Sequence, residues 1–366
     1  MLTTQWTALH AAEGAVLAGD GIPLHYGDLR AEYEAALHRV VLMDRSHEGR
    51  LEAWGTDAAA LLQRISTNDV LNLAPGEGRA TIFTNPNGRI LDRVTVYNRG
   101  DRLLLVTEPG RGTAVLHYLQ RNIFFNDQVQ VTDLSGVTYL FALHGPAASE
   151  LASALELMPG TSSYPWWGRE LDLEGAPVYA AARKPLSGAH YALIVPAESA
   201  PMVWRRLRER GAALGLRPAG SLTYHALRVR AGRPGVGHEL TQDYIPLEAG
   251  LWDEVSFHKG CYTGQEIIAR MESRGKLAKL MVRLELSAMI EAPAALFQDG
   301  REVGRLTSSV LAPDGQALGI GFVRTPLAQP EAQFNAGDAD AAITARITGL
   351  AGAPPPQLAE PSSEAE

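Results

Sequence analysis

From Val137 onward the chain repeats the plan of the segment before it, and this duplication limits the folds open to it more than any single motif. In the first pass, Asp28 to Val40 spaces Leu29, Tyr33, Ala36, Leu37 and Val40 at helical intervals, and Asp57 to Ile65 reads as a short helix capped by Thr56 or Asp57. Between Thr81 and Val106 the turns NPNG (Asn85 to Gly88) and NRGD (Asn98 to Asp101) divide the apolar residues into three strands, and Gly112 to Asn122 follows as a helix. In the second pass VTYLFALHG is a strand and Pro146 to Leu157 a helix. Val178 to Ala182 and His190 to Pro196 are strands, and Ala200 to Arg210 is a helix stopped by Gly211. Pro218 to Arg230 adds one more helix.

After Gly275 strands and turn signals alternate at short intervals, with FQDG at Phe297 and APDG at Ala312, as in a small barrel or sandwich. The final GLAGAPPPQLAEPSSEAE is too poor in large apolar residues to bury a core and reads as a disordered tail. The expected division is an α+β half over 1–136, a second over 137–275, a β-barrel over 276–347 and a tail over 348–366. A length of 366 residues suits several cores rather than one.

Charge and composition exclude some partners. A formal net charge of −8 gives no broad basic footprint for nucleic acid, and the basic runs Trp204 to Arg210 and Arg228 to Arg233 read as solvated helix faces. No apolar run approaches the ~20 residues that cross a bilayer, and the first residues lack the basic region of a signal peptide. A single cysteine forms no internal disulfide and no multi-thiolate metal site, which fits a reducing, cytoplasmic setting.

That cysteine lies in FHKGCYTGQEIIARMESRGK, Phe257 to Lys276. Gly260 and Gly264 bracket Cys261, and from Gln265 the spacing of Ile267, Ile268 and Met271 turns helical. Cys261 thus precedes a helix N-terminus, with His258 and Lys259 close by, a setting that favours a thiolate nucleophile or ligand. The competing reading is a small buried hydrophobe.

KGCYTGQE resembles the signature of the folate-binding YgfZ proteins, relatives of the aminomethyltransferase of glycine cleavage (T-protein). The resemblance runs from about Leu37 to Val323 and is also carried by STNDV (Ser66 to Val70), TNPNGRILDRVTVY (Thr84 to Tyr97), RVRAG (Arg228 to Gly232), IPLEAGL (Ile245 to Leu251) and VGRLTSSV (Val303 to Val310). It implies two α+β halves and a barrel around a central folate-size cavity lined by Asn68, Asp92, Arg228 and Glu248. Tetrahydrofolate is the implied cofactor. Asp92 matches the acidic residue that faces the reactive nitrogen of folate. Where the T-protein often has a second acid the chain has Arg93, a cation expected to hold Asp92 ionised and make it a poorer proton donor. Arg228 matches a folate-contacting arginine, Tyr244 is a candidate to stack on a planar ring, and Asn68 sits in the loop near the cavity. The acidic loop that grips the pterin in the T-protein is replaced here by LSGAHYALIV, which leaves the pterin's donors without that partner.

Three functions follow from these residues. The first is a tetrahydrofolate-binding YgfZ-like protein that supports assembly or repair of iron–sulfur cluster enzymes, tRNA-modifying ones included, with Cys261, Lys259 and Asp92 as catalytic candidates and client proteins as partners. The alternative is a folate-dependent aminomethyltransferase of the T-protein type. The third is a scaffold with a structural cysteine.

Overall fold

The computed structural model describes residues 4–158, 166–275 and 277–353. The chain forms two compact units, Met1–Thr81 with Asp92–Leu227, and Ile82–Leu91 with Arg228–Glu366. The architecture is two α+β halves followed by a closed barrel of six strands.

In the first unit the larger sheet has the order Gly168–Leu173, Ala176–Arg183, Ala189–Pro196, Thr138–Gly145, Val41–Asp44, Arg217–Pro218. A strand from before residue 137, Val41–Asp44, therefore completes the sheet of the second half by pairing antiparallel with Thr138–Gly145. Strand alternation sorts the side chains of Thr138–Gly145 between two cores. Tyr139, Phe141 and Leu143 join one core with Leu151, Val203, Trp204 and Leu207 from the helices Ala148–Ala154 and Ala200–Gly211. Leu140 faces the other way, into a core shared with Tyr97, Leu104 and Val106 from the strands Ile90–Asn98 and Arg102–Pro109 of a second, five-stranded sheet. Tyr97 fastens these two sheets twice, by an edge-on contact with Tyr179 at 6.0 Å and by donating its hydroxyl to the Ala182 carbonyl at 2.8 Å.

Details of the helices differ from the sequence expectations. An N-terminal helix, Thr4–Ala12, was not legible, since its apolar residues are not gathered on one face. It is held through Trp6 and His10, which are buried and converge on the Asp44 carboxylate at 2.7 and 3.2 Å. The helix Ala58–Ile65 has Asp57 at its N-cap position without a side-chain cap bond, because the Asp57 carboxylate accepts from the Gln128 amide instead.

The second unit contains the barrel, with strands Lys279–Leu286, Ala317–Arg324, Arg301–Leu311, Ala294–Gln298, Gln333–Gly337 and Thr344–Leu350 in closed order. Along Lys279–Leu286 the even residues Leu280, Val282, Leu284 and Leu286 fill the interior, while Met281 packs outward with Ile82, Ile90, Tyr244 and Phe322. The last strand runs to Leu350 and Ala351 is buried, so the barrel extends past 347 into the segment expected as tail. The rest of that expectation concerns residues 354–366, which lie outside the described residues. Among the described residues no helix is long and apolar enough to cross a membrane.

The first unit buries an ionic cluster. Glu48 is paired with Arg45 at 2.8 Å and Arg183 at 2.5 Å. Burial works to raise its carboxyl, but Arg183 and Arg45 outweigh burial and hold it at about 2. Its neighbour His47 is pushed down to about 4, chiefly by burial and then by the Arg45 charge, and its Nδ1 has no hydrogen-bond partner. An unfolded chain protonates His47 near 6.5 whereas the fold resists until about 4, so stability falls as pH drops through that window. Glu48 adds a second loss between 4.5 and about 2. We expect denaturant titrations at stepped pH to show both losses, and His47→Gln to flatten the upper one while leaving the lower.

Candidate functional site

The hairpin TNPNG and the turn KGCYTGQE, far apart in sequence, meet in the second unit. Asn85 builds the hairpin tip: its Oδ1 accepts from the amides of Asn87 and Arg89 at 2.9 and 3.1 Å, and Gly88 takes φ +69°. Thr84 Oγ1 then donates to the Thr263 carbonyl at 2.5 Å. Gly264, at φ +84°, lies so close that a Cβ there would stand 2.6 Å from the Asn85 oxygen and 2.9 Å from the Gly88 Cα. Only glycine permits both the backbone angle and the approach.

This contact fixes the turn that presents Cys261. The thiol is exposed, so the buried-hydrophobe reading of this residue does not hold. The helix Gln265–Arg274 begins after Gly264, four residues beyond the cysteine, as the spacing predicted. The Lys259 Nζ lies 5.0 Å over the ring of Tyr262. Tyr262 is itself buried among Ile245, Leu247, Trp252 and Ile268, and burial pushes its hydroxyl up to about 12.

In the first unit Asp92 is nearly buried, at 8% exposure, and both carboxylate oxygens are occupied by Arg111, from Nε at 2.6 Å and Nη2 at 2.8 Å. The expectation that Arg93 holds Asp92 ionised is corrected here. Consecutive residues of a strand face opposite sides, so Arg93 points away and pairs with Glu108 at 2.9 Å. The cation on Asp92 comes from the N-cap residue of the helix Gly112–Arg121. Burial raises the nearby Tyr118 hydroxyl, and the Asp92 charge raises it further.

Asn68 is also buried, and it secures its own loop: its amide nitrogen donates to the Ala80 carbonyl at 2.9 Å and its Oδ1 accepts from the Asp69 amide at 3.0 Å. For Asp69 burial acts upward, but donation from Asn72 and Gln63 and the Arg79 charge lower the carboxyl overall.

Arg228 belongs to the second unit and is not part of a solvated helix face, as its basic run suggested. It is 6% exposed. Its guanidinium donates to Glu239 at 3.2 Å, to the Arg233 carbonyl at 3.3 Å and to Ser308 Oγ at 2.9 Å. Glu239 is wholly buried and also accepts from the Gly235 amide at 2.9 Å and from Thr307 and Ser308, both at 2.6 Å. This network ties the loop after Arg228 to the barrel strand Arg301–Leu311.

Tyr244 and Glu248 do come together, as linings of a cavity of about 900 Å³ in the second unit. Tyr244 is stacked face to face on Phe322, 3.5 Å between centroids and 7° between planes, and the Lys279 ammonium sits 4.3 Å from its ring. Burial raises the Tyr244 hydroxyl to about 12. Glu248 accepts from the Ile245 amide at 3.2 Å with Arg89 at 3.5 Å, and burial raises its carboxyl against those groups and Lys279. Sequence reasoning missed Arg111 and the cavity's Arg89, Lys279, Arg305 and Arg324. For the last three, the alternation of barrel strands was a usable signal; for Arg111 there was none.

The fold and these residues define a class, that of two α+β halves with a C-terminal barrel. A crystal structure of glycine cleavage system aminomethyltransferase T from Bartonella henselae shares it with a TM-score of 0.82 over 95% of this chain and 97% of that one, at 22% identity. Residues 3–259 match the GCVT N-terminal domain, and the chain belongs to that family. Similar proteins include an aminomethyltransferase of Desulforamulus reducens, 31% identical over 346 residues that make up 93% of this chain and 94% of the relative. An aminomethyltransferase of Rubrobacter xylanophilus is 32% identical over 323 residues, 86% and 85% of the two chains. A chloroplastic protein of Arabidopsis thaliana, named only as a transferase, is 30% identical over 349 residues, 94% and 79%.

Because breaking a buried ion pair from one side strands the other charge, Glu239→Gln is expected to lower unfolding stability by ~3–5 kcal/mol in chemical denaturation. Arg228→Gln should match it within about 1 kcal/mol if the pair is chiefly structural.

Proposed function

We propose that the chain binds tetrahydrofolate and carries out a folate-dependent aminomethyl transfer, acting in the cytoplasm. The observation that carries this reading is the near full-length likeness to proteins named aminomethyltransferase, 94% of the Desulforamulus reducens protein among them. The folate supplies the one-carbon acceptor nitrogen. Asp92 offers that nitrogen a buried carboxylate of suitable charge, and its clamp by Arg111 gives it a particular role. Held by two donors, it serves better as a fixed negative charge that orients a cationic group than as a source of a proton. Asn68 shapes the adjoining loop.

A second reading has an observation of its own. The exposed Cys261, presented on a turn fixed by Gly264, favours a YgfZ-like role in supporting iron–sulfur enzymes, with client proteins as partners. One thiolate cannot hold a cluster alone, so a client or a second copy would supply the other ligands.

Titration with tetrahydrofolate tests what both readings share. We expect Asp92→Asn to weaken binding by at least about tenfold, a loss of ~1.4 kcal/mol, with its melting curve recorded to separate unfolding from lost contact. Cys261→Ser should bind as the wild type does. Turnover of an aminomethylated lipoyl carrier that survives Cys261→Ser supports the first reading. Absent turnover, together with a cellular loss of cluster-enzyme activity in Cys261→Ser, replaces it with the second. No tetrahydrofolate binding at millimolar concentration sinks both.

A further inference from the structure

We infer that the cavity on the outer wall of the barrel is a binding site for a small multivalent oxyanion, a di- or tricarboxylate or a phosphorylated metabolite. This inference does not rest on the folate reading. The cavity of about 900 Å³ is lined by four cations, Arg89, Lys279, Arg305 and Arg324, against three acids, Asp243, Glu248 and Glu302, in a chain whose net charge is −8. Its volume is of the order that encloses small ligands.

The strands explain why the cations converge. In the antiparallel ladder Lys279 is directly opposite Arg324, and Arg305 is directly opposite Phe322, two residues from Arg324 on the same strand. Opposed residues share a face, as do residues two apart, so the three cations stand on one outer face of three neighbouring strands. Two like charges placed opposite each other destabilise the ladder. An anion between them removes that repulsion.

The acids present do not do this work. The Asp243 carbonyl, rather than its carboxylate, receives Arg89 at 2.9 Å and Lys279 at 3.3 Å. Glu248 is engaged by the Ile245 amide and Arg89. Glu302, on the strand of Arg305, forms no ion pair with Arg305 or Arg324, although all three line the cavity. By contrast Arg346, on the neighbouring barrel strand Thr344–Leu350, is paired with Glu285 and Glu331. Arg305 and Arg324 thus present guanidinium forks, whose planar donors match carboxylate and phosphate oxygens, to a concavity with a stacked aromatic floor of Tyr244 and Phe322.

Calorimetric titration of the full chain with citrate and with pyrophosphate tests the site and distinguishes the carboxylate from the phosphate source. We expect at least one probe to bind with an affinity that falls as salt rises. The double variant Arg305→Gln/Arg324→Gln should weaken it at least tenfold, while Arg301→Gln, an exposed arginine outside the cavity lining, leaves it unchanged. Arg324→Gln alone should raise the melting temperature without ligand, and a bound probe should raise that of the wild type more than that of the variant. Failure of both probes at millimolar concentration, or equal binding by wild type and double variant, overturns the proposal. So does a matching loss of tetrahydrofolate affinity in the double variant, which would make the cavity part of a folate site. Unchanged tetrahydrofolate binding with lost probe binding supports two separate sites.

Discussion

The approach of Gly264 to Gly88 is the constraint on which the presentation of the Cys261 turn depends. A Cβ on Gly264 would strike the Asn85 and Gly88 backbone, one on Gly88 would crowd Ile267 and Ile268 at 3.3 Å, and one hydroxyl from Thr84 closes the contact. Through it the KGCYTGQE turn takes its position from the hairpin tip, not from the helix that follows. The turn therefore needs little apolar burial of its own, and Cys261 can remain at the surface without being loose. Tyr262 and Ile268, on either side of the glycine, complete the anchoring in a small core.

Much of the fold could be read from the sequence because it is written in local signals. The hairpin turns NPNG and NRGD and the alternation of MVRLEL each act over a few residues and appear where they were expected. The helix from Ala200 was expected to stop at Gly211, but Gly211 stays helical, Ala212–Leu214 adds a last tight turn, and the left-handed residue that ends it is Gly215 at φ +70°. The site was less legible. Its chemistry depends on which side of a strand a residue faces and on what arrives from another element. Asp92 and Arg93 are adjacent in sequence and were taken to interact, yet the pleat separates them, and the partner of Asp92 is a helix cap nineteen positions away. Nothing in the segment EPGRG marks Arg111 for that task. Likewise Arg228 lies in a basic run that looks solvated, and only the buried Glu239 shows why it is not.

Arg228 is already engaged within the protein at the position where the resemblance implies a ligand contact. The position matches a ligand-contacting arginine, but here the guanidinium is committed to Glu239, Ser308 and a carbonyl. A ligand calling on it would have to compete with a buried ion pair, where desolvation makes any unmatched charge expensive. Tyr244 is in a similar position, with one face on Phe322 and Lys279 over its ring. A planar ligand would have to displace the ammonium before it could stack.

The opposed salt bridges around Asp92 and Arg93 bear on how such a sequence can change. Each residue is neutralised on its own side of the strand, Asp92 by Arg111 and Arg93 by Glu108. Placing an acid at position 93 would set two carboxylates face to face at Glu108, and losing Arg111 would leave Asp92 buried and uncompensated. Neither step is neutral alone. A change from this pattern to one with paired acids therefore takes coordinated substitutions at two positions, because the charges that neutralise each side of the strand oppose either substitution made alone.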